Sequence, residues 1–114
     1  MSDCLFCKIV KKEIAAGIVY EDELTLAFKD IAPQAPLHLL IIPKKHITSL
    51  LNVAEEDLPL IAHCAEVIKK LAAENGLTES GCRVVVNVGA DGGQTVGHLH
   101  YHLLGGRKMN WPPG

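Results

Sequence analysis

The stretch Gly97-His98-Leu99-His100-Tyr101-His102-Leu103-Leu104-Gly105-Gly106 constrains this chain more than any other. Three of its six histidines fall within five residues and alternate with Leu99 and Tyr101. A β-strand sends successive side chains to opposite faces, so residues two apart share a face. As a strand, the run sets His98, His100 and His102 in one row, with Leu99, Tyr101 and Leu103 against a core. A helix would spread the same three around its barrel. Gly97 before the run and Gly105-Gly106 after it are strand punctuation. Imidazole titrates near neutral pH and acts as nucleophile, proton carrier or metal ligand, so an aligned row is candidate chemistry. The plainer reading is a polar strand face that happens to be rich in histidine.

At 114 residues the chain is expected to form one domain, 1–114, long enough for a single core. A hydrophobic content of 48% excludes disorder, and a net charge of -2 argues against a nucleic-acid surface. The longest apolar stretch, Leu39-Leu40-Ile41-Ile42, is too short to span a bilayer. Asp3, Lys8, Lys11, Lys12 and Glu13 interrupt any apolar leader, which points to a cytoplasmic protein without membrane partners. In that compartment the four cysteines are expected to be thiols or metal ligands rather than disulfides.

Cys4-Leu5-Phe6-Cys7 has a chelating spacing, open at this level to a metal, a redox pair or two plain thiols. Leu5, Phe6, Ile9 and Val10 suggest a short amphipathic helix ending near Glu13. Gly17–Tyr20 and Leu24–Lys29 read as a hairpin across the polar turn Glu21-Asp22-Glu23, with Leu24, Leu26 and Phe28 on one face. Asp30 sits at the strand end, before the stiff Pro33-Gln34-Ala35-Pro36 connection. Leu37–Ile42 reads as a central strand interrupted by His38, and His46 follows in a loop. Glu55–Asn75 is the one long helix, with Leu58, Ile61, Ala65, Ile68 and Leu71 as its core stripe, and His63 and Cys64 structural. Gly76 is expected just beyond its C-terminus. Arg83–Val88 is a β-branched strand ending near Asn87. The polar, glycine-rich loop Gly89–Thr95 could turn N–H groups toward an anion or simply close a hairpin. One long helix with strands in hairpin order gives an α+β fold on an antiparallel sheet.

His98-Leu99-His100-Tyr101-His102-Leu103-Leu104 resembles the His-φ-His-φ-His-φ-φ signature of the histidine triad family. Cys4–Ile9, Phe28–Pro36, Ile42–Ile47, Asn87, Asp91–Gln94 and Leu104–Arg107 follow in family order, so the resemblance covers nearly the whole chain. The tail Trp111-Pro112-Pro113-Gly114 resembles the branch of nucleotide-binding members with purine nucleoside phosphoramidase activity. The resemblance implies a homodimer whose two sheets join into one.

It also implies a mechanism. His100 would attack the α-phosphate of an AMP-type substrate, an amine would leave, and water would release AMP from the adenylyl-histidine. His102 and His38 would flank the site and share protons, and His98 completes the histidine set. Asn87, Gly93, Gln94 and Thr95 would contact the phosphate or leaving group, and Asp30 the ribose hydroxyls. Phe6, Phe28, Ile31 and Leu40 would line the base pocket, with Trp111 packed on a surface or lying over a neighbouring subunit's site. Cys4, Cys7, His46 and His98 would form a closed, structural zinc site, with no cofactor required for the chemistry. Thr95 stands where the family commonly has Ser, and Gly97 where it has a larger residue. Competing readings are a zinc hydrolase using the three aligned histidines as ligands, a dinucleoside polyphosphate hydrolase, and a non-enzymatic nucleotide-binding regulatory module.

Overall fold

The structure is a computed structural model describing residues 4–114. Asp3, read above as breaking an apolar leader, lies outside the described residues. The chain opens with helix α1 (Leu5–Val10), capped by the Cys4 thiol, which accepts from the Cys7 amide at 3.3 Å. Strands β1 (Ile18–Glu21), β2 (Thr25–Lys29) and β3 (Leu37–Pro43) follow, then helix α2 (Leu58–Glu74), a single turn α3 (Leu77–Ser80), and strands β4 (Arg83–Val85) and β5 (Tyr101–Gly105). All strand pairs are antiparallel, in the spatial order β1-β2-β3-β5-β4. This is the expected α+β architecture. Among the described residues no helix is long and apolar enough to cross a membrane.

The near-continuous apolar run of β3 is explained by its place at the centre of the sheet, covered on both faces. Leu39 and Ile41 point to the α2 side, where they meet Ala27, Cys64, Leu71, Tyr101 and Leu103. Leu40 and Ile42 point to the other side, where Phe6 and Ile9 of α1 pack with Leu26 and Phe28. One face of the sheet is therefore a conventional helix-on-sheet core. The other carries every histidine of the 98–102 run, because those residues alternate with Leu99, Tyr101 and Leu103 of the α2-side core.

Several sequence expectations shift. The histidine run is regular strand only from Tyr101; residues 96–98 form a bend and 99–100 are irregular, tied by the Leu99 amide to the Ile47 carbonyl at 2.7 Å. The division of faces survives: Leu99 packs in the α2-side core while His98 and His100 meet Phe6 on the other side. Helix α1 ends at Val10 rather than near Glu13, where Lys12 takes a positive φ of 64°. β4 stops at Val85, where its pairing with β5 ends. Leu24 precedes β2 and is exposed. Glu55–Asp57 form a separate 3-10 turn, so α2 begins at Leu58 and its buried stripe is Cys64, Val67 and Leu71. Leu58 and Ala65, placed in the stripe from sequence, are exposed. Gly76 stands beyond the helix in the left-handed region, as its position predicts.

A polar knot fixes α2 to the hairpin. Asp22 Oδ1 accepts from the Leu24 and Thr25 amides and the Thr25 hydroxyl, and its Oδ2 accepts from Tyr20 and from His63 of α2 at 2.7 Å. Burial raises the Asp22 pKa. The hydrogen bonds from His63, Leu24, Thr25 and Tyr20 outweigh it and hold the carboxyl well below the usual range.

Candidate functional site

β3 and β5 pair with Leu40 opposite His102 and His38 opposite Leu104. His38 and His102 are thus diagonal neighbours on one face, within side-chain reach. His38 Nε2 lies 2.9 Å from His102 Nδ1, and the main-chain amide of Gln34 donates to His38 Nδ1 at 3.0 Å. A peptide N–H can only donate, so His38 Nδ1 is the acceptor and its hydrogen sits on Nε2. That hydrogen is donated to His102 Nδ1, which leaves His102 with its own hydrogen on Nε2. Asp30 Oδ2 stands 3.4 Å from His38 Nε2, while its Oδ1 accepts from the Ala32 amide. Burial, then the neighbouring His100 and His38, hold the His102 pKa below the ordinary imidazole value.

The same reasoning assigns the other two rings. His100 Nδ1 lies 2.8 Å from the carbonyl of His98, which can only accept, so Nδ1 carries a hydrogen and the lone pair of the neutral ring is on Nε2. His98 donates from Nε2 to the Pro43 carbonyl at 2.8 Å, so its lone pair is on Nδ1. That nitrogen faces the thiols of Cys4 at 3.4 Å and Cys7 at 3.6 Å, and Cys7 Sγ lies 3.3 Å from His46 Nδ1. Burial lowers the His98 pKa, helped by His46 and His100, which favours the neutral ring that a metal needs.

Two constellations result. Cys4, Cys7, His46 and His98 bring four ligand atoms within 4.8 Å of one another. Two thiols and two imidazoles are a donor set suited to tetrahedral zinc, with no position left open. Asp30, His38 and His102 are equally close, but the hydrogen on His38 Nε2 makes them a hydrogen-bonded chain rather than a ligand set. The three aligned histidines do not converge on one point, since each turns a ring nitrogen to a different partner: thiols, a carbonyl and His38. That geometry disfavours the three-histidine zinc hydrolase.

Phe6 joins the constellations. It sits between Cys4 and Cys7 and meets His100 edge-on at 5.1 Å and His98 at 5.9 Å. It also lines an apolar pocket of about 160 Å³ with Ile9, Phe28, Asp30, Ile31 and Leu40. The base-pocket candidates are thus brought together, and Phe6 links their pocket to His100, although Ile31 is itself fully exposed at the surface.

The loop before the histidines is organised differently from the sequence expectation. Gln94 Nε2 donates to the carbonyls of Thr48 and Val96, and its Oε1 accepts from the Gly89 amide. The Gln94 and Gly93 amides donate to Gly89 and Ala90. Gln94 therefore braces the loop, and its side chain has no hydrogen left for a phosphate. Thr95, exposed, is the residue of this loop whose hydroxyl makes no hydrogen bond among the described residues. Asn87 is half-buried just after β4. Trp111 is not brought to the histidines by contacts of its own chain: it is 81% exposed, with the Arg83 guanidinium 6.0 Å from its ring. Sequence reasoning missed the amide of Gln34 and the carbonyl of Pro43. Main-chain partners leave no residue-type signal, though the two prolines around Gln34 mark a connection stiff enough to aim an amide.

The family model described as "Scavenger mRNA decapping enzyme C-term binding" matches residues 3–111. A HIT-like protein of Synechococcus elongatus is 56% identical over 112 residues, 98% of this chain and 97% of that protein. The "14 kDa zinc-binding protein" of Zea mays is 52% identical over 115 residues, covering 99% of this chain and 89% of its own length. The crystal structure of a HIT family hydrolase from Legionella pneumophila superimposes with a TM-score of 0.96 at 57% identity, over 98% of this chain and all of that one (100%).

Proposed function

Because the chain belongs to the histidine triad (HIT) family, we propose that it is a nucleotide-binding hydrolase that cleaves the P–N bond of purine nucleoside 5′-phosphoramidates. The observation that carries this reading is the 2.8 Å contact between His100 Nδ1 and the His98 carbonyl. It leaves Nε2 of a neutral imidazole as a nucleophile beside an apolar pocket sized for a flat base. In the first step His100 Nε2 forms a bond to the α-phosphorus while the P–N bond breaks. The departing amine takes a proton from solvent, and His102, its ring 5.1 Å from that of His100, offers its Nε2–H to the charge that builds on the phosphoryl oxygens. In the second step water attacks phosphorus and returns a proton to solvent, the adenylyl-histidine bond breaks, AMP leaves and neutral His100 is restored. One hard displacement becomes two easier ones.

The remaining residues bind. Phe6, Phe28 and Leu40 hold the base, and the Asp30 carboxylate accepts from the ribose hydroxyls. Asn87 and the free hydroxyl of Thr95 contact the phosphate, while the Gly93 and Gln94 amides stay within their loop. Cys4, Cys7, His46 and His98 hold zinc, which ties α1 to the sheet and supplies no chemistry to the substrate. The protein acts as a homodimer. β4 is an edge strand with one side unpaired, and its central Val84 is exposed, so a second copy would continue the sheet there. Trp111, held at that edge by Arg83, would then lie over the second copy's site.

The test is AMP release from adenosine 5′-phosphoramidate by the wild-type chain, by His100→Ala and by wild type treated with a chelator. Turnover by wild type that vanishes in His100→Ala is the expected result. Loss on chelation with the fold intact would favour metal hydrolysis instead. No turnover in any sample would leave nucleotide binding without catalysis.

A further inference from the structure

Helix α1 is six residues long, too short to be stable by itself in water. What holds it to the sheet is burial of Phe6 and Ile9 and the approach of its two thiols to His46 and His98. Both routes end at the same ring. Phe6, placed between the two cysteines, presses its edge on His100 at 5.1 Å with the planes 86° apart. His98, held on Nε2 by Pro43 and facing the thiols with Nδ1, presents the carbonyl to which His100 donates.

We propose that the Cys4–Cys7–His46–His98 cluster, once it holds its ion, is the positioning device of His100, acting through the ring of Phe6 and the backbone of His98. Phe6 is a positioning residue as well as part of the pocket wall. Apolar burial holds Phe6, and the Leu99 amide bond to Ile47 holds the His98 peptide; the closed cluster adds a second anchor to each. The His100 ring then has one edge contact and one hydrogen bond that fix its orientation. With the cluster open, both constraints lose that second anchor, and the ring samples other orientations more often. The inference rests on reading His100 as the nucleophile, but it concerns the ring's orientation, which is measurable without turnover.

The experiment is long-range nitrogen–proton NMR of the imidazoles in the full chain. It compares zinc-loaded wild type, metal-stripped wild type and zinc-loaded Phe6→Leu, with bound zinc counted in each. In loaded wild type His100 should give one sharp set of signals with a slowly exchanging Nδ1–H. Stripping the metal should broaden that set and speed loss of the Nδ1–H. Phe6→Leu should still bind one equivalent of zinc yet show a broadened His100. Its kcat should fall roughly ten- to a hundredfold, with KM changed less than about threefold, as for a misplaced reacting group. Should metal-stripped protein lose its dispersed amide spectrum, loaded Phe6→Leu decides alone. A His100 signal equally sharp in all samples overturns the coupling. Failure of loaded wild type to release AMP would instead overturn the hydrolase reading and leave the NMR comparison standing.

Discussion

Asp22→Asn should destabilise the protein without slowing it. The Asp22 carboxylate accepts five hydrogen bonds, three on Oδ1 and two on Oδ2. Asn keeps an acceptor at the Oδ1 position, so the Leu24 and Thr25 donors stay paired. At Oδ2 it places an NH₂ against the Tyr20 hydroxyl and His63 Nε2. Tyr20 must turn to accept, and His63 must move its hydrogen to the other nitrogen. Hydrogen bonds to a charged group contribute about 1.5–3 kcal/mol against about 1 for neutral ones, so weakening two of them costs about 2–3 kcal/mol. At this chain length that is a drop in Tm of about 10 °C.

The pH dependence gives an independent check on the same reasoning. The folded pKa of Asp22 lies well below its unfolded value of about 3.9. Its contribution is therefore complete above about pH 5 and is lost as pH falls through the acid range toward the folded pKa. Urea unfolding of both proteins between pH 7 and pH 2.5, at one protein concentration, should show the wild-type advantage shrinking as pH falls. AMP release at 25 °C should be the same for both, since Asp22 serves the α2 side of the sheet. A loss below about 0.5 kcal/mol at pH 7, or a constant difference down to pH 2.5, would refute the assignment of the knot as a charge-assisted anchor.

Three further outcomes are expected. Turnover should stay level from neutral pH upward and fall only below the ordinary imidazole value of about 6.5, because burial shifts His102 downward and keeps it neutral at pH 7; a pH–rate profile that already declines at pH 7.5 on the acid side contradicts this. Asp30→Asn should narrow the preference for ribo- over deoxyribonucleotides by roughly tenfold, the equivalent of one charge-assisted hydrogen bond, read as the ratio of kcat/KM for the paired substrates. Gly105→Ala should cost about 1–3 kcal/mol by overpacking, since its Cβ would come within 2.5 Å of Leu77 Cδ1; a Tm within a degree of wild type would show that α3 yields freely.

Legibility from sequence followed the kind of force involved. The apolar Leu99, Tyr101 and Leu103 seek the core whatever the local backbone, so the division into a chemical face and a core face is legible although regular strand begins only at Tyr101. Of the four cluster residues, spacing marks only Cys4 and Cys7 as a chelating pair; His46 and His98 join them through the family resemblance, since their nearness is set by the fold. The helix stripe departs from the sequence expectation at Leu58, which the 3-10 turn before α2 leaves outside the core, and at Ala65, which is exposed, whereas Cys64 is structural as expected and fully buried. The family resemblance implies a phosphate contact for Gln94, and an amide beside a glycine loop can serve either role. Only the folded positions of Thr48, Val96 and Gly89 decide that it is a brace. The pairing of Asp22 with His63, 41 residues apart, has no local signature at all.

The placement of hydrogens in this site is dictated from outside the side chains. The amide of Gln34 can only give a hydrogen and the carbonyl of His98 can only receive one, and neither loses that character at any physiological pH. Together they set the handedness of the whole array: His38 and His102 point their hydrogens one way along the chain, and His100 points its hydrogen back into its own strand. No point substitution at Gln34 or His98 removes a peptide group, short of proline at residue 34. The site's polarity is thus inherited with the backbone, and a variant that leaves the path of the main chain intact keeps this donor and this acceptor in place, even where a changed side chain loosens a ring.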